Sequence, residues 1–356
     1  MTATAGTQTG LPVSWDLAVA TGSRLVRPGP AVGPDEARAE VARLADGARV
    51  GEGHVRELTG LGTGLVIPDA AVVDRPGWIA SGVDGIRTLT SDVELPTAAR
   101  GRPGLLARTA GTVTATVAGA QMGTLLAFLS TKVLGQYDPF AGPDHAGHLL
   151  LVAPNVTAAR EALDVDADDF ALWVCVHEAT HRLQFTAVPW LRDHFRSEVT
   201  AFASGMESGV SAALDRLPDI TRAVRSRSDV NLLELLQGPE QGAILDRLLA
   251  LTTLLEGHAE HVMDEVGPAV IPSVATIRSR FTARRRGGGP VDRLLRVLLG
   301  VQAKVKQYEQ GRVFVDEVVN TIGMDGFNAV WTSPETLPRR SEITDPSAWM
   351  DRVHGS

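Results

Sequence analysis

The chain has 356 residues, 44% of them hydrophobic and 21% charged, which is ordinary globular composition with enough length for a sizeable core. Its formal charge of −8 argues against general binding to nucleic acid or an anionic membrane surface. Cys175 is the single cysteine, which excludes an intramolecular disulfide, and no basic start followed by an apolar run marks a secretory signal, so a cytoplasmic location is expected.

Residues 1–25 are expected to be loosely ordered, although "SWDLAVATGSRLV" could form a short docked helix, and residues 26–356 are expected to form one domain. "GPDEARAEVARLADGARVGEGHVRELTGL" has apolar positions at helical spacing behind Gly33-Pro34 and predicts an amphipathic helix and a second short one. "AAVVDRPGWIASGVDGI" predicts a short apolar run, a turn at Arg75-Pro76-Gly77 and another helix. From Thr109 to Thr131 no residue is charged, the length suits a bilayer span, and Gly119-x-x-x-Gly123 has the spacing of packed membrane helices. The first half is rich in Thr, Ala and Gly, and Gln121 sits at the centre, so the expectation is a close-packing core helix with no membrane partner.

"LGQYDPFAGPDHAG" is rich in turn residues and predicts a loop, with Tyr137 and Asp138 as rim or structural residues. "HLLLVAPNV" predicts a strand ended by Pro154 and Asn155, whose edge an extended substrate could join. A helix is expected at about 167–187, with Asp166 as its N-cap, Asp169 near its positive end and Pro189 beyond it. A second amphipathic helical region runs from about Trp190 to Arg225. "GAILDRLLALTTLLEGHAEHVMDEVG" predicts a long helix at about 243–266, closed by Gly267-Pro268. "RSRFTARRRGGGP" predicts a basic loop with a solvated Arg284-Arg285-Arg286 run; "VDRLLRVLLGVQAKVKQYEQGRVFVDEVV" is helical, and the tail is mostly irregular. The fold class is therefore mainly α with a small β-sheet, α+β.

The helix at 167–187 holds His177-Glu178-x-x-His181 within "WVCVHEATHRLQF". Residues four apart on a helix share a face, so His177 and His181 can aim at one ion, and zinc accepts such nitrogens. Glu178 lies about 100 degrees round the helix, beside the metal, where a general base would act on a zinc-bound water. A catalytic zinc needs one more protein ligand and one open position, which predicts about one zinc per chain. The flanks are apolar, so the two histidines and Glu178 would be costly to bury without a common partner. "LTTLLEGHAEHVMDEVG" gathers Glu256, His258, Glu260, His261 and Asp264. Glu256 and Glu260 are four apart and share a face, so spacing leaves the third ligand open between them.

His177-Glu178-x-x-His181 followed by "LLEGHAEHV" resembles the gluzincin branch of zinc metallopeptidases, whose aminopeptidase members place the ligand glutamate just before a glycine. That match implies Glu256 as the metal ligand and Gly257 as the small residue that lets the two helices approach. The aminopeptidases place this glutamate soon after the motif, whereas here a whole helical region intervenes. "SWDLAVATGSRLVRPGP", "VVDRPGWI", "LSTKVLGQYDPF", "WVCVHEATHRLQFTAVPWL", "LLEGHAEHVMD" and "VKQYEQGRVFVDEV" together resemble the actinobacterial zincin-like metallopeptidase family. Its members are named either zinc-dependent metalloprotease or deazaflavin-coenzyme-biosynthesis-associated protein, and a zincin-like fold is implied.

Tyr308 and His258 are rivals for donating to an oxyanion, Asp264 for orienting a zinc histidine, and Cys175 is a core residue. The expected activity is hydrolysis of a peptide or protein substrate with Zn2+ on His177, His181 and Glu256 and Glu178 as general base. The alternative is a non-catalytic zinc-binding scaffold or partner protein linked to deazaflavin coenzyme biosynthesis.

Overall fold

In the computed structural model, which describes residues 8–95, 105–143, 147–215, 239–286 and 301–355, the apolar run His148–Val152 is the middle strand of a three-stranded sheet. The described elements are β1 (Gln8–Thr9), α1 (Trp15–Leu25), α2 (Pro34–Thr59), β2 (Ala71–Val73), α3 (Arg75–Leu89), β3 (Glu94–Leu95), α4 (Leu105–Leu129), β4 (Gly135–Asp138), β5 (His148–Val152), α5 (Ala153–Leu163), α6 (Ala167–Ala187) and α7 (Leu191–Asp215). After them come α8 (Pro239–Val270), α9 (Val274–Arg286), α10 (Val301–Phe327), three short 3-10 turns and α11 (Pro346–His354). The protein is thus mainly helical with a small sheet.

β2 lies parallel to β5 and β4 antiparallel to it, so both edges of β5 are already paired. The substrate-accepting edge expected of "HLLLVAPNV" is therefore not on that strand; β2 and β4 are the sheet's outer strands. β5 is apolar throughout because both its faces are covered. Leu150 and Val152 pack with Trp78 and Ile79 of α3, whereas Leu151 packs with Val156 of α5 and Val174 of α6. "GQYD" pairs as β4 despite its turn-like composition, because Gly135–Asp138 lies in register with Leu151–His148. Pro154 does end the strand, but in the first turn of α5, a helix that the sequence did not signal.

A buried polar knot ties these elements together. Asn155 donates to the carbonyls of Ser130 and Val133, both at 2.6 Å, and accepts from Arg75 Nε at 2.7 Å. Arg75 in turn donates to the carbonyls of Arg27 and Pro28 at 2.6 and 2.7 Å.

Several expectations need correction. The N-terminal segment is a docked helix from Trp15 onward, with Ala18 fully buried. The two helices expected after Gly33 are one, α2. "RSRFTARRR" continues as α9, its Arg278 clamped by Glu260 and Asp264, while the side chains of Arg284, Arg285 and Arg286 lie outside the described residues. The tail is ordered around Trp349, which is fully buried against Phe314, and around an Arg352–Glu342 pair. The second amphipathic region is described as far as Asp215, and its expected end at Arg225 lies outside the described residues.

α4 contains the window Thr112–Leu129, long and apolar enough to cross a membrane, of which 22% is buried. Its glycine pair packs on α1: a Cβ at Gly119 would press on the Ser14 carbonyl and one at Gly123 on the Ala18 carbonyl. Val113, Val117 and Leu125 stay exposed, so the expected core helix is buried along one face.

Gly257 does permit a close helix approach, though to α10 rather than α6. A Cβ at Gly257 would overlap the backbone of Gly311, and one at Gly311 the carbonyl of Thr253. Gly257→Ala is expected to cost about 1–3 kcal/mol through overpacking. Gly53→Ala in α2 meets open space and should be neutral or stabilising by up to about 1 kcal/mol. Equal melting temperatures for the two variants would count against this crossing.

Candidate metal centre

α6 starts cleanly because the Asp166 side chain accepts from the backbone N–H groups of Asp168 and Asp169, both at 3.0 Å. Phe170, Ala171, Val174 and Cys175 are buried in the core and fix the rotation of the helix, and His177 and His181 follow on the face of Phe170 and Val174, three and seven residues beyond Val174. Their Nε2 atoms lie 3.2 Å apart. α8 brings Glu256 to them, with Oε2 3.8 Å from His177 Nε2 and Oε1 3.7 Å from His181 Nε2. Four ligands at about 2.1 Å around a tetrahedral zinc are separated by roughly 3.4 Å, so these three spacings suit such an ion. Among the described residues this is the one cluster of three or more potential metal donors. The side chains are 23% (His177), 14% (His181) and 33% (Glu256) exposed, so the cluster faces solvent and is not sealed in the core. Glu260, the other glutamate on that face, is held instead by Arg278 at 3.1 Å.

Behind the histidines stands a layer that the sequence reading missed. His181 Nδ1 meets Gln184 Oε1 at 3.0 Å, which places the ring proton on Nδ1 and leaves the Nε2 lone pair for a metal. Gln184 is itself oriented, since its Nε2 donates to the Leu255 carbonyl and to His258 Nδ1, each at 3.0 Å. His177 Nδ1 meets the Met263 sulfur at 3.3 Å. The available signal was spacing: Gln184 is three residues after His181, on the face of the histidine it supports, and Met263 is seven after Glu256, on the α8 face that meets His177.

Glu178 is 6% exposed and lies between α6 and β4. A Cβ at Gly135 would sit 2.6 Å from Glu178 Cγ and 3.0 Å from its Oε1, so the strand can lie against this carboxylate because Gly135 has no side chain. Burial first, and then the Glu256 carboxylate, push Glu178 up to about 8 in the metal-free chain, while a hydrogen bond from the Tyr137 backbone pulls it down. A dication among the three donors would pull it down further.

The remaining predicted residues are placed as follows. His258 is completely buried against Phe327 and Trp331, and burial first, then His261 and His181, bring it down to about 3. It is a neutral imidazole behind Gln184 and presents nothing to a substrate oxyanion. The Tyr308 side chain lies outside the described residues. Asp264 does not orient a cluster histidine; it pairs with Arg278 and with Arg312. His261 is bonded to Asp316 at 2.7 Å, and Cys175 is buried in the core. Tyr137 packs its ring on Phe185, one turn beyond His181, and Asp138 accepts from the backbone of Phe140 and Ala141.

A family model described as zincin-like metallopeptidase matches residues 13–350. Among solved structures, the chain is similar to a crystal structure from Chloroflexus aurantiacus provisionally described as a hydrolase with a novel fold. The TM-score is 0.65 and the sequence identity 27%, over 97% of this chain and 99% of that one. No curated protein matches the chain.

Proposed function

Because this chain belongs to the zincin-like metallopeptidase family, we propose that it is a zinc-dependent hydrolase of peptide bonds. The observation that supports this reading is the cluster itself: donor atoms of His177, His181 and Glu256 lie close enough to hold one ion, while Glu178 is outside that donor set and feels the Glu256 carboxylate. Zinc held by the three donors would supply a Lewis acid that polarises a carbonyl and makes water a nucleophile near neutral pH. Glu178 then takes the proton of the attacking water and returns it to the leaving amine. The Tyr137 N–H keeps that carboxylate turned toward β4. Gln184 and Met263 hold the two imidazoles in place.

An extended substrate would pair with the outer edge of β4, which is the strand lying against Glu178. The aromatic wall of Tyr137 and Phe185, one helical turn past His181, favours an apolar side chain beside the scissile bond. The solvent-facing cluster favours catalysis over a purely structural metal, which would be enclosed by a fourth protein ligand. The negative net charge and the docking of α4 on α1 support a soluble, cytoplasmic chain.

Elemental analysis of purified protein should find about one zinc per chain, and peptide cleavage should be lost on chelation and recovered when zinc is returned. Carefully prepared protein that binds no metal would end this reading.

A further inference from the structure

α4 lies on α1 along the side of Gly119 and Gly123 and turns its opposite side to solvent. By the helical repeat, that outer face carries Thr114, Val117, Gln121 and Leu125, with Thr124 at its edge, and all five are exposed. Half-buried Phe128 ends it, with the Lys132 ammonium 5.5 Å over its ring. No residue from Thr109 to Thr131 is charged. The threonines do little to make the surface polar. Thr124 Oγ1 donates to the Ala120 carbonyl, and Thr116 Oγ1, beside Val117, to the Thr112 carbonyl, each at 2.8 Å. These hydroxyls are spent within the helix, so the methyl groups are what the side chains offer a neighbour. An uncharged apolar face of this kind on a globular chain marks a contact surface.

Three features select the occupant. Each chain carries −8, so two copies repel in general but meet along this face without opposing like charges. The face is shallow in its N-terminal half, at Thr114 and Val117, and bulkier in its C-terminal half, at Leu125 and Phe128. Two such faces fit when they run antiparallel about a two-fold axis at Gln121. Val117 then meets Leu125 of the other copy and Thr114 meets Phe128, since each pair is evenly spaced about residue 121. Opposed helix dipoles favour the same direction. On the axis Gln121 meets itself, and a primary amide, being both donor and acceptor, is complementary to its own copy. A bilayer fits less well, because an interfacial helix carries basic residues beside its apolar face and α4 has none from Thr109 to its end.

We propose that α4 is a self-association surface through which two copies of this chain pair antiparallel about Gln121. Leu126 of α4 shares a core with Leu150 and Val152 of β5, whereas α6 packs on the Leu151 side, so pairing leaves the metal centre open.

The contact is one helix face about 21 Å long, less than a permanent dimer buries, so the pairing should be reversible. Light scattering on the full-length protein over a dilution series should show a mass rising towards twice that of one chain. Val117→Glu, at a position 50% exposed, should hold the mass at one chain while the circular-dichroism spectrum stays that of wild type. Val50→Glu, equally exposed on α2, should pair as wild type does. Gln121→Cys should give a disulfide-linked dimer on oxidation with diamide, and Cys175 does not compete because it is buried. Thr114→Cys should not cross-link, since its two copies would stand about 21 Å apart. A single-chain mass for wild type up to about 100 μM overturns the proposal. So does pairing that Val117→Glu and Val50→Glu affect alike. Cross-linking at Thr114 as readily as at Gln121 overturns the antiparallel two-fold. A monomer that floats with neutral phosphatidylcholine vesicles would give the face to a membrane instead. If Val117→Glu does not fold, the wild-type mass and the two cysteine variants still decide.

Discussion

Glu178→Gln is expected to lower peptide hydrolysis by about 10²–10⁴-fold, the usual contribution of a general base, while zinc content stays at the wild-type level. The amide keeps the shape that fits against Gly135 and can still accept from the Tyr137 N–H, so the strand need not move. It cannot take a proton. Melting temperature should be unchanged or slightly higher, because an amide costs less to bury than a carboxylate facing Glu256. Rate, metal content and melting temperature, measured on one preparation, check all three parts. A variant that loses its zinc would place Glu178 among the ligands and require the site to be redrawn. If wild type cleaves nothing across a broad peptide library, the scaffold reading takes over.

The second large effect concerns the metal donors. His181→Ala and Glu256→Gln should each abolish the stabilisation that zinc confers, seen as a melting temperature that no longer rises when zinc is added. For wild type that rise reflects binding to the folded state alone, about 4 kcal/mol when free zinc exceeds Kd by a thousandfold. Gln184→Leu should give an intermediate result, weakening zinc by about 10–100-fold, because it frees the His181 ring and leaves His258 Nδ1 without its donor. Glu260→Gln is the control, since its carboxylate is held by Arg278 and should leave zinc affinity unchanged. Equal zinc affinity in wild type and Glu256→Gln would contradict the donor set.

The helix carrying His177 and His181 was legible because everything that makes it is local. Its cap, its apolar stripe and the four-residue spacing all lie within one segment, Asp166 to Ala187. The same holds for α8 and its break at Gly267, where the backbone takes a positive φ of 63° before the final stretch to Val270. β4 was not legible, since Gly135 and Asp138 resemble turn residues and become a strand when β5 offers a partner in register. The N-terminal helix was ambiguous for the same reason, its order depending on Gly119 and Gly123 of a distant helix.

At the site, spacing along the chain was enough to put two histidines on one face and Glu178 to one side, because helical periodicity relates neighbours within a turn or two. It could not choose between Glu256 and Glu260, which share a face. That choice came from the crossing of α6, α8 and α9: the crossing sets Glu256 beside the imidazoles and hands Glu260 to Arg278, 18 residues further along the chain. The supports Gln184 and His258, the strand against Glu178, and the pairing of Gly257 with Gly311 likewise depend on packing between elements distant in sequence, whose angle and depth no single segment encodes.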